Sequence, residues 1–246
     1  TYGAWGAFAA MAVFAASALL ATRPVDVRLA KKWAWFEKRG MALRRALAVV
    51  GIALAAFVAV YTGMLLMAAE NVPLWNTPLL PVLFSVSAFD TGVALVELVA
   101  VLASKKDPLA PKARTLMERI VVVLVLLEGV VMAAFLASML GGDAQTAIGA
   151  TAASSASLLV SGGLAVCFWG MVVACGLALP LVMAVAGLVL HGRAKKKPGA
   201  GQHGSGVLMA IGAAGALVGG CELRFLILAA GVHADVVAET VRGLIG

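Results

Sequence analysis

Residues Ile120–Leu140 read IVVVLVLLEGVVMAAFLASML, and Glu128 is the one charged side chain in this stretch. A helix rises about 1.5 Å per residue, so a helix of this length is about 30 Å long, which matches the hydrocarbon core of a membrane. Lipid offers the backbone no hydrogen-bond partners, and a spanning segment of this length must therefore be helical. The stretch predicts a transmembrane helix.

Similar apolar stretches recur along the 246 residues, of which 63% are hydrophobic and only 13% are charged. This composition is typical of integral membrane proteins and excludes a water-soluble domain. The sequence therefore predicts an all-α polytopic helix bundle that forms a single transmembrane domain over residues 1–246. The six predicted spans lie near residues 3–22, 46–69, 79–103, 119–140, 164–190 and 206–231.

The basic residues predict the orientation of the bundle. Nearly all of the 19 Lys and Arg residues fall in the first, third and fifth connections, and the second and fourth connections contain none. By the positive-inside rule, the three basic loops are cytoplasmic and both ends of this chain are outside. The net charge of +7 is then explained by topology and by contact with membrane lipid, and we exclude nucleic acid as a partner.

Metal cofactors have no evident ligands in this chain. The three cysteines lie inside apolar segments without CxxC spacing, so they predict neither an iron–sulfur cluster nor another metal site. No histidine falls at mid-membrane depth, because His191 and His203 are predicted to lie in the fifth connection and His233 beyond the last span. We therefore expect no haem held between paired histidines.

Ionisable residues inside the spans are the main candidates for chemistry, because each costs at least about 2.5 kcal/mol at mid-membrane unless it is paired or hydrated. Asp90 and Glu97 are seven residues apart and share one face of the third span, and Glu128 on the fourth span reaches a depth similar to that of Asp90. These three carboxyls predict a proton-transfer path. The alternative is that each is protonated, or bonded to a neighbouring helix, and only ties the bundle together.

The junction of the second and third spans carries the most specific pattern. Tyr61–Leu66 read YTGMLL, and Pro73–Ser87 read PLWNTPLLPVLFSVS. This junction resembles the membrane-anchor subunits of the polysulfide reductase and NrfD type, which carry YTGxLL followed by PLWNxPxLPxLFxxS. Gly3–Trp5 is similar to the GxW that begins the third helix of that family, and Gly219–Gly231, GGCELRFLILAAG, is similar to its last helix, GGxxxRF…G.

The resemblance implies that these spans are the third to eighth helices of a longer bundle whose first two helices are absent here. It implies a quinol- or quinone-binding membrane anchor of a respiratory oxidoreductase in a prokaryotic cytoplasmic membrane. The implied cofactor is a quinone, expected to be menaquinone. The implied partners are a four-cluster iron–sulfur subunit on the non-cytoplasmic face and a molybdopterin catalytic subunit beyond it.

The residues of this chain that match the family motifs are candidates for that function. Tyr61 is expected to donate a hydrogen bond to a quinone carbonyl, and Arg224 to make a second quinone contact; the alternatives are an interfacial tyrosine and a structural ion pair. Trp75 and Asn76 are expected to shape the partner-docking surface, or alternatively to act in helix capping and at the interface. A rival interpretation, which the carboxyls suit equally, is a proton-translocating or purely structural anchor without a bound quinone.

Overall fold

The computed structural model describes residues 2–21, 34–103, 111–143, 145–194 and 202–233, and within these ranges it contains no strand. Six of the helices, in chain order, are α1 (Tyr2–Ala21), α2 (Ala34–Met67), α3 (Leu79–Ala103), α4 (Pro111–Leu140), α5 (Ala147–Val160) and α7 (Gln202–Ala229). The helix between α5 and α7, here α6, runs through Ala165–Cys167, a π-helical segment at Phe168–Ala178, and Leu179–Ala194. The predicted all-α membrane fold is confirmed.

Among the described residues, five helices are long and apolar enough to cross a membrane. They lie at Gly40–Met67, Leu79–Leu102, Lys112–Leu140, Ala165–Leu190 and Gly206–Ala229, which correspond to the second to sixth predicted spans. The first predicted span corresponds to α1, which runs over Tyr2–Ala21. Much of the three basic connections lies outside the described residues, and the orientation of the bundle stays a prediction.

Two helices begin earlier than their predicted spans. Helix α2 begins at Ala34 rather than near residue 46, and α4 begins at Pro111 rather than near residue 119. Lys and Arg are good helix formers whose long side chains extend away from lipid, so a helix can continue through basic sequence beyond the apolar run. Pro111 also suits the first turn, where a backbone N–H would have no partner.

The fourth connection, Gly141 to Gly163, contains α5. The N-terminus of this helix is capped, because the Thr146 hydroxyl accepts a hydrogen bond of 3.1 Å from the backbone N–H of Gly149. A side chain at this position satisfies one of the donors that a helix start leaves open.

The chain forms two compact units, Thr1–Thr62 and Gly63–Gly246. In the first unit, glycines of α1 pack against aromatic rings of α2. A Cβ atom on Gly3 would collide with the Tyr61 ring, and a Cβ atom on Gly6 would collide with the Phe57 ring. The predicted single domain over residues 1–246 stays a prediction.

In the second unit, α7 packs against both α3 and α6, and α4 packs against the same two helices. Glycines of α7 make this approach close. A Cβ atom on Gly219 would collide with the Cα atom of Gly176 in α6, and one on Gly215 would lie 2.6 Å from the carbonyl oxygen of Cys175. Such small residues let helix backbones approach in membranes, where van der Waals packing drives association.

The π-helical segment of α6 ends just before Pro180. Proline has no N–H, so Pro180 cannot donate to a carbonyl of the preceding turn. The helix widens instead, and the Leu179 N–H bonds to the carbonyl of Ala174, five residues earlier. The disturbance at Pro180 thus takes the form of a π-helix in the face that meets α7.

Substituting Gly219 by alanine should destabilise the protein, because the added Cβ has no room against the backbone of Gly176. Overpacking of this kind costs about 1–3 kcal/mol. Thermal melting in detergent should show a lower Tm for Gly219→Ala. The control is Gly206→Ala on the same helix, where nothing lies within 4 Å of the added atom. Equal melting of the two variants would contradict the close approach of α6 and α7.

Candidate functional site

Four carboxyl side chains are buried in the described part of the second unit. Asp90 and Glu97 project from α3, and Glu118 and Glu128 project from α4, with exposed fractions of 2%, 4%, 1% and 4%. The sequence nominated three of them and missed Glu118, because the fourth span was predicted to begin one residue later and Glu118 was left in the connection. Continuation of the helix through Lys112–Arg119 is the signal that could have included it.

Three of these carboxyls line one cavity. Asp90, Glu97 and Glu118 contribute the ionisable residues of its lining, and small or apolar residues complete it. The cavity has about 10 Å³ available to the centre of a water molecule, which is room for about one water. Glu97 lies in the middle of the set, within electrostatic reach of both Glu118 and Asp90.

Glu118 lies directly on the backbone of α6. A Cβ atom on Gly187 would collide with the carboxylate of Glu118. Gly187 therefore provides the space in which this carboxyl sits at the cavity, and a larger residue there would displace it.

Glu128 belongs to a second polar group, which lies further from the third connection along α4 than Glu118 does. Its carboxyl lies near Ser87 and Asp90 of α3 and near Arg224 of α7. Asp90 is therefore common to both groups, since it also lines the cavity. The structure thus brings together Asp90, Glu97 and Glu128, the three residues proposed for proton transfer, although their function stays a prediction.

Arg224 is held by contacts within the bundle. Its Nη1 atom donates a hydrogen bond of 2.8 Å to the carbonyl of Gly220 in the same helix, and its guanidinium lies 5.8 Å from the centre of the Phe84 ring. An acid on another helix, Glu128 of α4, lies near Arg224, as the structural alternative expects. These contacts favour the structural alternative for Arg224, and its quinone contact stays a prediction.

Gly220 provides the space for this second group. A Cβ atom on Gly220 would collide with the Thr91 methyl group and would lie 3.5 Å from both the Ser87 hydroxyl and the Arg224 guanidinium. Thr91 is held in place by its own hydroxyl, which donates to the carbonyl of Ser87 at 2.8 Å. The second glycine of the GG pair thus lets α3 contact the part of α7 that carries Arg224.

Trp75 anchors the connection between α2 and α3 to the end of α7. Its indole N–H donates a hydrogen bond of 2.9 Å to the carbonyl of Ile227, and a Cβ atom on Gly231 would collide with the indole ring. Trp75 is half-buried, whereas the neighbouring Asn76 is exposed. Asn76 is therefore accessible to a partner, while Trp75 fixes the connection that presents it; docking by either residue stays a prediction.

Tyr61 lies in the first unit, where its ring packs against Gly3. The ring also stacks on Phe57, with 6.0 Å between centroids and an interplanar angle of 14°. Both neighbours fix the orientation of the ring. Two of the family motifs, the GxW of α1 and the YTG of α2, are thus in contact.

Within the described ranges, no group of three or more His, Cys, Asp or Glu residues is arranged to hold a metal ion. The backbone differs from the prediction at two histidines. His191 lies within α6 and His203 lies in the first turn of α7, rather than in the connection between them. His233 follows the end of α7 and is exposed, as expected for a residue beyond the last span.

Comparison with known proteins identifies the relatives of this protein. The family model described as polysulphide reductase, NrfD, matches residues 3–235. One of the polysulfide reductase subunits of Wolinella succinogenes is 36% identical over 189 residues, which are 77% of this chain and 54% of that protein. Protein NrfD of Escherichia coli is 29% identical over 213 residues, or 82% of this chain and 61% of that protein.

A further relative, the NrfD homolog of Haemophilus influenzae, is 31% identical over 134 residues, which cover 54% of this chain and 40% of that protein. The chain spans about half the length of the curated relatives that it matches. No solved structure matches the chain.

Substituting Trp75 by phenylalanine should lower the Tm in detergent, because it removes the hydrogen bond to Ile227. A bond of this kind contributes about 1 kcal/mol. The matched control is Trp169→Phe, whose indole bonds to Val160, only nine residues away. The control should melt closer to the unsubstituted protein, because it breaks no link between distant segments. A Tm unchanged by Trp75→Phe would mean that Trp75 does not anchor the connection.

Proposed function

This chain belongs to the polysulphide reductase NrfD family, and we propose on that premise that it is the quinone-interacting membrane anchor of a respiratory oxidoreductase. The observation that carries the proposal is the family match over residues 3–235, which includes the YTG and PLWN motifs. The anchor exchanges electrons between a quinone in the lipid, menaquinone in our proposal, and an iron–sulfur subunit on the non-cytoplasmic face. A molybdopterin catalytic subunit lies beyond that partner.

A quinol supplies two electrons and two protons when it is oxidised. In the proposed mechanism, the phenolic O–H of Tyr61 donates a hydrogen bond to a quinone oxygen. A quinone contact of Arg224 is proposed from the family motif alone. The packing of the Tyr61 ring against Gly3 and Phe57 supports this role, because a ring fixed on both sides presents its hydroxyl in one direction. The electrons then leave for the cluster of the partner subunit.

The partner is proposed to dock at the connection between α2 and α3. Asn76 is exposed there, and Trp75 ties the same connection to α7. A connection fixed in this way presents a rigid surface, which lowers the entropy lost on binding. In the proposed orientation this surface is on the non-cytoplasmic side of a prokaryotic cytoplasmic membrane, and the basic loops are on the cytoplasmic side.

Protons are proposed to move through Asp90, Glu97 and Glu128. Their burial supports this, because ionisable residues inside a membrane bundle are costly and commonly mark ion or proton pathways. The proximity of Asp90 to both Glu97 and Glu128 supports continuity of the path.

The second candidate function is a proton-translocating or purely structural anchor without a quinone. It is favoured by the contacts of Arg224, which engage Gly220 and approach Glu128 within the bundle. The two candidates differ at Tyr61, which only the quinone-binding proposal requires.

Substituting Tyr61 by phenylalanine should slow quinol-dependent reduction of the partner's clusters in the purified complex. Loss of one hydrogen bond of about 1.4 kcal/mol corresponds to about a tenfold slower rate. Thr62→Val removes a neighbouring hydroxyl, which bonds to the carbonyl of Ala59, and should leave the rate unchanged. Wild-type kinetics in Tyr61→Phe would remove Tyr61 from the mechanism, and a purified complex that retains no quinone would favour the second candidate.

Substituting Glu128 by glutamine should weaken proton uptake coupled to turnover. The amide keeps the shape of the side chain, but it cannot bind and release a proton as a carboxyl group does. Proton transfer by a positioned side chain typically contributes about a hundredfold or more to a reaction rate. Proton uptake is measured with a pH-sensitive dye outside liposomes that contain the complex. Glu222→Gln, a half-buried glutamate on α7, is the control. Normal coupling in Glu128→Gln would leave Glu128 as a structural tie.

A further inference from the structure

Among the described residues that line the cavity, two buried carboxyl oxygens have no hydrogen-bond partner. Asp90 Oδ1 and Glu97 Oε1 are buried, and neither has a hydrogen-bond partner in the part of the chain that the structure describes. Both residues are more than nine-tenths buried and both line the cavity between α3, α4, α6 and α7. An unpaired buried polar atom costs about 1–3 kcal/mol, so folded proteins pair such atoms with protein groups or with water.

The size and chemistry of the cavity decide which group can form hydrogen bonds with these two oxygens. A metal ion does not fit, because among the described residues no three potential ligands converge on one point. An apolar occupant would leave both oxygens unsatisfied. A buried water molecule needs two to four polar partners and about 10–15 Å³ of space for its centre, and this cavity offers about 10 Å³. One water molecule therefore matches both the space and the missing hydrogen bonds.

We propose that this cavity binds a water molecule that bridges Asp90 and Glu97, and that Glu118 is the residue through which protons enter this water-bridged site. The inference rests on the proposed proton transfer and adds a ligand and a residue to it. In each step, the water accepts a proton from one carboxyl group and gives one of its own protons to the next carboxylate. The water is regenerated, and one proton moves along the path.

The positions of the carboxyls along the helices support this order. Glu118 is seven residues from the start of α4, and Glu97 is six residues from the end of α3, so both lie toward the third connection. Asp90 is seven residues further from that connection, or about 10 Å along α3. The path therefore leads from the basic third connection into the bundle, with Glu118 and Glu97 first and Asp90 deeper.

The charged neighbours of the site come from α3 and α4. Asp90 and Glu97 face the cavity from α3, and Glu118 faces it from α4, while the cavity residues of α6 and α7 carry no ionisable side chain. Beyond Asp90, Glu128 approaches Arg224 of α7. The water site thus lies between the carboxyl nearest the third connection and the group that contains Arg224.

The first test removes the water and keeps all the carboxyls. Ala213 lines the cavity and is 2% exposed, so Ala213→Leu should fill the space. In the complex that contains the full chain, infrared difference spectra in H₂¹⁸O should show the band of a buried water in the unsubstituted protein and not in this variant. Ala152→Leu, at a buried position of α5 outside the cavity, is the control and should keep the band. Absence of the band from the unsubstituted protein overturns the proposal.

The second test concerns Glu118 and does not depend on the folding of a cavity-filled variant. The complex is transferred to D₂O, and the rate at which the C=O bands of protonated Asp and Glu shift is followed without turnover. Glu118→Gln should slow exchange at Asp90 and Glu97 by about a hundredfold. Glu222→Gln should exchange as the unsubstituted protein does. Unchanged exchange in Glu118→Gln overturns the assignment of Glu118.

These measurements separate the inference from the proposed function. Hydrogen exchange and the water band need no quinol, so they test the water site even if quinol-dependent reduction of a partner fails. Slow exchange in Glu118→Gln with normal cluster reduction supports the water-bridged site and the proposed function together. If exchange is slow in Glu118→Gln but the unsubstituted complex shows no quinol-dependent cluster reduction, the water-bridged site is supported and the quinone role is rejected.

Discussion

The close approach of α7 to α3 and α6 is the contact on which the interior of the second unit depends. Lipid gives helices no hydrophobic reason to associate, so close van der Waals packing must hold them together. Gly219 meets Gly176 of α6, and Gly220 meets Thr91 of α3. Because both neighbours come so close, Arg224, one turn further along α7, lies near Phe84 of α3 and Glu128 of α4.

Several residues of the family motifs serve close packing between helices and connections. Gly63 of YTG lies against the backbone of Pro81 at the start of α3, Trp75 of PLWN lies against Gly231, and Gly3 lies against the Tyr61 ring. In each pair a glycine provides the space for a bulky or rigid group opposite it. The motifs therefore specify how helices meet. Far fewer side chains, chiefly the hydroxyl of Tyr61 and the buried carboxyls, are available for electron and proton chemistry.

Asp90 links the two polar groups of the interior. It lines the cavity with Glu97 and Glu118, and it lies near Glu128, which approaches Arg224. A proton-transfer path needs such continuity, because each transfer requires donor and acceptor to be within reach of a hydrogen bond or of one intervening water. The same arrangement would also tie α3, α4 and α7 together. The proposed proton-transfer role and the structural role therefore fall on the same residues.

The sequence by itself determined the helical membrane fold, five of the spans by length and composition, and the family, because these follow from local properties: apolar run length and short motifs. It also nominated Asp90, Glu97 and Glu128, since a carboxyl in an apolar run is visible without a structure. Tertiary structure alone decided that Glu118 joins them, that Trp75 bonds to a residue 152 positions away, and that Arg224 approaches Glu128. These contacts depend on the rotation and register of each helix, and a span that is apolar on all sides carries no periodicity from which to read them.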